Sequence, residues 1–374
     1  MHAKPANALQ AQIQDAIDRL VESGVERGLQ VAVYQHGELV VDAVAGLADS
    51  ETGRAVTRDT LFHSFSTGKG AAATVVHVLA ERGLLGYDTP IAELWPEFGA
   101  HGKGRATVRH ALTHSVGVPG VPLDTRPEDL AGWQKMTTLI ADAEPWWEPG
   151  EKSGYHAMTY GFILGEIVRR ATGKPISQVL LEEVTGPLGI AAGLFFGLPR
   201  EELGRLARLE DSAEDFQLRD LYPAGAPFFK VGPAAFEPSA ALGNREDLLT
   251  ADIPSIGTMT ARAAACMYAA LMGEVGGTRL VSPARLREIT ALEVSGIDQI
   301  LELPTFRSLG YGLGGPSAST SDHRNVFGFG GAGGSYACGN TATGTAFAVT
   351  KNRLAADFST AAQIDEIVAR AAGK

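Results

Sequence analysis

Cysteine is nearly missing from this chain: Cys266 and Cys338 are the two in 374 residues. They are too few for a disulfide framework and too isolated for a CxxC metal site, so two free, buried or half-buried thiols are expected. Long apolar runs are missing too. No stretch approaches the length of a membrane span, and residues 1–20 lack the apolar run of a signal peptide. A cytoplasmic enzyme with no membrane partner is expected. Basic residues are in deficit, with 32 Lys and Arg against 43 Asp and Glu and a formal net charge of -11. That balance speaks against a nucleic-acid surface, which needs clustered cations, and fits a neutral or cationic small molecule better. No serine lies in GxSxG, which excludes an α/β-hydrolase elbow, and His63, His77, His110 and His114 form neither HExxH nor a Cys/His set. No metal and no other cofactor is expected. Internal repeats and low-complexity tracts are absent as well.

What is present has the makings of a large core. Apolar residues make up 45% and charged residues 20%, a soluble globular balance, and the length exceeds what one core usually fills. From Asn7 to about Gly28, Leu9, Ile13, Ile17, Leu20, Val21 and Val25 recur at helical spacing. LQVAVY and ELVVDAVAG, separated around His36-Gly37, read as a β-hairpin. From Leu84 to Pro254 helical stretches alternate with Pro- and Gly-rich loops such as PWWEPGEKSG and YPAGAPFFKVGP. Helices over ARAAACMYAALMG and PARLREITAL follow, then short strand candidates (SLGYGLG, NVFGFGG, SYACGN, GTAFAVTKNR) and a last helix over STAAQIDEIVARAAG. Strands at both ends with helices between predict an α+β fold: one antiparallel sheet, flanked by helices and formed by both chain ends, with a mainly helical insertion. The division expected is 1–84 with 255–374 as the sheet domain, and 85–254 as the inserted helical domain.

Within HSFSTGKGAAATVVHVLAERG, Lys69 stands among glycines and alanines, three residues after Ser66. On a helix that spacing lets the two side chains meet. A serine hydroxyl needs a base to become a nucleophile, and a lysine can serve only if burial or the positive field of a helix start keeps it neutral. The small neighbours are expected to leave room for substrate. A chance SxxK fits the spacing equally well, so other positions have to decide.

LFHSFSTGKGAAATVVHVLAERGLLGYDTPIAELWP resembles the segment around the nucleophile of the class C β-lactamase superfamily and its family VIII carboxylesterases, whose acylation motif is SxxK. TVRHALTHSVGVPG, WEPGEKSGYHAMTYGFILGEIVRRATGK, GTMTARAAACMYAALMGEVGGTRLVSP and FGFGGAGGSYACGN are similar to further segments of that superfamily, in the same order. The resemblance implies a β-lactamase/transpeptidase-like fold, Ser66 as nucleophile, Lys69 as its base and Tyr155 as their acid-base partner. It also implies an oxyanion hole from the backbone amides of Ser66 and Ala332, with Phe329, Gly330 and Gly331 as the third motif at the substrate. The alternative for Tyr155 is a core tyrosine with a satisfied hydroxyl.

The sequence departs from the family pattern twice. Tyr155-His156-Ala157 lacks the asparagine of Tyr-x-Asn, and His156, a candidate substrate-binding residue, is expected to play a structural or supporting part rather than that of base. Phe329 stands where a lysine would meet a β-lactam carboxylate, so an uncharged acyl group is favoured over penicillin. Trp146 and Trp147 are candidates to wall the acyl pocket, with core packing as the alternative. The two GxGxxG matches, at Gly310 and Gly328, are followed by strand-like sequence and read as sheet corners. The expected function is carboxylesterase action on small or medium uncharged acyl groups, with a small-molecule ester or amide as substrate. The alternatives are transfer of the acyl group to an alcohol or amine acceptor, and a scaffold that has lost catalysis.

Overall fold

The computed structural model describes residues 5–212, 222, 223, 225–316 and 325–372. The first four residues, part of the stretch read for a leader, lie outside that range, as does Ala224 of YPAGAPFFKVGP. The architecture is α+β. Among the described residues the strands are β1 (Gly28–Gln35), β2 (Glu38–Asp49), β3 (Arg54–Ala55), β4 (Phe62–His63), β5 (Leu194–Phe195), β6 (Thr258–Met259), β7 (Val294–Ile297), β8 (Pro304–Arg307), β9 (Gly312–Leu313), β10 (Val326–Gly330), β11 (Tyr336–Asn340) and β12 (Thr345–Lys351). Nine of them form one antiparallel sheet in the order β3-β2-β1-β12-β11-β10-β9-β8-β7, and β4, β6 and β5 form a small second sheet. The two chain ends meet where β1 pairs with β12, from Leu29 opposite Lys351 to Gln35 opposite Thr345.

Alternation along β1 explains how the sheet carries helices on both faces. Val31 and Val33 point to one side, where they pack with Ile13, Ile17, Phe347, Ile364 and Val368 under the helices Pro5–Glu22 and Ser359–Ala371. Ala32 and Tyr34 point to the other side, and with Ala346 and Ala348 they join the cluster that contains the helices Gly68–Glu81 and Ala261–Met272. Alanine on both sheet and helix lets these layers approach closely. The β1–β2 turn uses His36 (φ 49°) and Gly37 (φ 84°), the left-handed pair that a two-residue hairpin needs. The first helix stops at Glu22, short of the expected Gly28, because the chain turns at Gly24 (φ 75°) before β1 begins. Cys266 and Cys338 are free and buried. No helix of the described residues is long and apolar enough to cross a membrane.

The segment from Ser255 to Met259 sets up the functional region by lying between two helices that both present glycine to it. A Cβ on Gly68 would fall 2.5 Å from Gly257 N, and one on Gly161, in the helix Thr159–Thr172, would fall 2.0 Å from Ser255 N. Only glycine permits backbone contact this close. Ser64 N donates to Gly257 O (2.8 Å) and Gly257 N to Phe65 O (3.0 Å), extending the pairing of β4 with β6 up to Ser66. Gly68→Ala is therefore expected to destabilise the protein by about 1–3 kcal/mol through overpacking. Chemical denaturation checks this, and an unchanged midpoint would show that the contact yields freely.

Candidate active site

Phe65 has φ 43°, a left-handed conformation that is strained for a phenylalanine, and it turns the chain from β4 into a single 3-10 turn, Phe65–Thr67. Ser66 sits in that turn, half-buried, and the helix Gly68–Glu81 follows at once. Ser66 Oγ has two partners: Lys69 Nζ at 2.9 Å and the Tyr155 hydroxyl, which donates to it at 2.7 Å. The three side chains that the sequence singled out are thus in mutual contact.

Lys69 is fully buried. Its Nζ also donates to Ser255 O at 2.9 Å and lies 5.2 Å from the centre of the Tyr155 ring, while no carboxylate among the described residues forms an ion pair with it. Burial alone pulls its pKa down from 10.5 to about 7. The small residues around it do not leave room for substrate as the sequence suggested. Protein fills that space: a Cβ on Gly70 would meet the Tyr268 hydroxyl at 2.1 Å and Phe329 Cβ at 3.7 Å. Glycine here lets the Tyr268 and Phe329 side chains close on the helix beside the lysine, which is fully buried.

Tyr155 lies in a stretch without regular structure, so long-range contacts have to hold it. Its amide donates to Asp298 Oδ1 (3.1 Å), which also accepts from the amides of Ile300 and Leu301 (both 2.8 Å). Asp298 Oδ2 accepts from Arg307 Nη2 at 2.5 Å, and Arg307 Nη1 donates to Ser153 Oγ at 2.8 Å. Burial pushes the Tyr155 phenol up to about 12, so it stays protonated at neutral pH.

Two histidines line up behind the tyrosine as neutral groups. His156 Nδ1 donates to Gly154 O (2.6 Å) and Nε2 accepts from Val118 N (3.1 Å), so both ring nitrogens serve the backbone. Burial lowers its pKa to about 4. His114 Nδ1 accepts from His156 N (3.1 Å) and its ring stacks on Tyr160 at 4.4 Å, with burial holding its pKa well below the ordinary value. Among the described residues no three or more His, Cys, Asp or Glu converge as a metal site.

The turn after β10 closes the other side. Gly331 N donates to Ser335 O (2.8 Å), and Thr67 Oγ1 donates to the same carbonyl (3.2 Å). A Cβ on Gly331 would lie 2.0 Å from Ser64 O, so glycine lets this turn rest directly on the Ser66 segment. Ser66, Tyr155, Gly330, Gly331 and Ala332 all border one cavity of about 710 Å³.

This arrangement lies inside a chain whose residues 13–371 match the sequence model of the β-lactamase family. The chain belongs to the β-lactamase family. It is an enzyme of the β-lactamase-like serine hydrolase type. It is 36% identical over 341 residues to Esterase/beta-lactamase LipL of Mycobacterium tuberculosis, covering 87% of this chain and 77% of that one. The crystal structure of a family VIII carboxylesterase superposes with TM-score 0.87 at 31% identity, covering 97% of both chains. A penicillin-binding protein homologue from Caulobacter crescentus superposes with TM-score 0.84 at 28% identity, again over 97% of both.

Of the expected substrate contacts of this β-lactamase-family enzyme, Gly330 and Gly331 border the cavity, while Phe329, His156, Trp146 and Trp147 do not line it directly. Half-buried Phe329 shares a strand face with buried Phe327 and leans toward Gly70 of the helix Gly68–Glu81, its ring 6.5 Å from that of Tyr155. His156 is buried with both nitrogens occupied. Trp147 is buried with its indole N–H on Ser115 O (3.2 Å), and Trp146, its neighbour in sequence, is exposed on the surface. Conversely, Asp298, Arg307 and Ser255 carried no motif and were missed. The aromatic pair in APFFKVGP was the one visible hint of the cavity's far wall, where Phe228 and Phe229 stand.

Asp298→Asn would leave Arg307 buried beside a neutral partner. A loss of about 3–5 kcal/mol is expected in chemical denaturation, as for any buried pair deprived of one charge, and an unchanged stability would show that the pair is dispensable.

Proposed function

We propose that this enzyme is a carboxylesterase working through an acyl-enzyme on Ser66. The observation that carries the reading is the 2.9 Å contact of the Ser66 hydroxyl with a lysine that is buried without a carboxylate and holds its pKa near 7. At neutral pH a large fraction of such lysines is uncharged and can accept a proton. The relatives named esterases support the choice of ester chemistry.

Ser66 Oγ attacks the ester carbonyl carbon and its proton passes to Lys69. The carbonyl oxygen takes the negative charge and rests on the amides of Ser66 and Ala332. As the tetrahedral intermediate collapses, the C–O bond to the alcohol breaks, and the alcohol leaves with a proton delivered through Tyr155, which Lys69 resupplies. Water then attacks the acyl-enzyme, gives up its proton to the same pair, and frees the acid and Ser66. Tyr155 acts as a relay, since its phenol is protonated at rest. The cavity holding the acyl group would lie between the sheet unit, 1–84 with 255–374, and the inserted unit, 85–254, because residues from both ranges border it. Among the described lining residues none is Lys or Arg, which supports the preference for uncharged acyl groups over β-lactams.

Incubation with a small activated ester should add one acyl mass to the wild type and none to Ser66→Ala, read by intact-protein mass spectrometry. Rapid release by water is the esterase outcome, while an adduct stable in water and released by added alcohols or amines would replace it with transacylation. Tyr155→Phe should lower kcat by about 10²–10⁴-fold with little change in KM. The rate of acylation should rise with pH through about 7, as Lys69 loses its proton. A flat profile between pH 5 and 9 would contradict Lys69 as the base.

A further inference from the structure

Beyond the reaction class, the cavity indicates what the substrate looks like. Its volume of about 710 Å³ lies in the upper half of the range, roughly 300–1,000 Å³, in which pockets enclose most of a drug-sized molecule. A two- to four-carbon acyl chain with a small alcohol would leave most of it to water.

One wall consists of rings that the protein itself leaves half covered. Tyr222 and Phe228 stack at 4.5 Å with an interplanar angle of 12°, and Phe229 meets Phe228 edge-on at 5.7 Å. Phe228 and Phe229 belong to the short turn Pro227–Lys230, which has no buried residue, and with Tyr222 and Phe236 they border the same cavity as Ser66. Leu123 and Leu301 border it too. Aromatic side chains on a turn with no core of its own normally retreat from water, and here a ligand is what would complete their burial.

Charge narrows the class further. Asp211 and Asp357 border the cavity, and among the described lining residues there is no Lys or Arg. An anionic group entering this space would meet Asp211 and Asp357, and no cation among the described lining residues.

We propose that the cavity selects large, ring-bearing esters without a negative charge, with the ring seated on the Tyr222–Phe228–Phe236 wall. This rests on the reading of Ser66 as an ester-cleaving serine, and it departs from the small or medium acyl group that the sequence suggested.

The test compares methyl butyrate with methyl 2-naphthoate and 2-naphthyl acetate, and the last of these with an analogue bearing a carboxylate on the naphthyl ring. At least one naphthyl ester should exceed methyl butyrate in kcat/KM by about tenfold or more, the carboxylate should cost about tenfold, and Phe228→Ala should reduce the naphthyl-to-butyrate ratio by a similar factor. A ratio that is flat in wild type, or equal in wild type and Phe228→Ala, would overturn the proposal, as would an analogue unaffected by its carboxylate. Calorimetry with the non-hydrolysable 2-acetonaphthone in Ser66→Ala separates this from the catalytic reading. Binding that weakens about tenfold when Phe228→Ala is added supports the aromatic wall even if Ser66 proved not to be the nucleophile, and absence of binding with Phe228 intact refutes it even if esters are cleaved.

Discussion

Everything at this site depends on keeping an ammonium-bearing side chain in a dry place without a counter-ion. Among the described residues Lys69 reaches Ser66 Oγ and the Ser255 carbonyl and nothing charged. Had a carboxylate been supplied, the pair would be more comfortable and the lysine permanently protonated. Its solitude makes it useful. Thermodynamics gives this arrangement a sign: the folded pKa of about 7 lies below the ordinary 10.5, so the unfolded chain binds more protons between those values. Burial of Lys69 therefore costs stability in full below about pH 7, and the cost fades as pH rises toward 10.5.

The rest of the fold answers for that cost by leaving the lysine no freedom. The Ser255–Met259 stretch lies between glycines on two helices, and its first carbonyl is the lysine's second acceptor. Because Ser255 Oγ also accepts from Gly161 N and donates to Met158 O, the same residue links the lysine to the helix that follows Tyr155. Tyr155 is held from the opposite side by Asp298 and Arg307, and the turn carrying Ala332 by Thr67 and Ser335. The nucleophile is thus surrounded by backbone contacts that small residues make possible.

Much of this was legible in the sequence where the signal was local. The Ser66-Lys69 spacing, the His36-Gly37 turn and the alanine-rich helix at 261–272 each report their structure within a few residues. What escaped was non-local. Tyr155 and Asp298 lie 143 residues apart, and a carboxylate that accepts three amides leaves no periodic trace. Strands of two residues, such as β4 and β6, are too short to show alternation. Trp146 and Trp147 illustrate the limit of reading adjacent aromatics as a unit, since the chain bends at both residues and only Trp147 turned inward. The lack of a cation at Phe329 is legible in the sequence, whereas the position of its ring, 6.5 Å from that of Tyr155, is set by the pleat of β10.

The most direct test of the account is the protonation of Lys69 itself, followed by carbon-13 NMR of selectively labelled lysine side chains, with Lys69→Met to assign the resonance. A lysine signal that titrates near pH 7 in wild type and vanishes in Lys69→Met is the predicted result. If the assigned signal stays protonated up to its ordinary value near 10.5, the buried lysine is a fixed cation and the account of how Ser66 is activated is wrong.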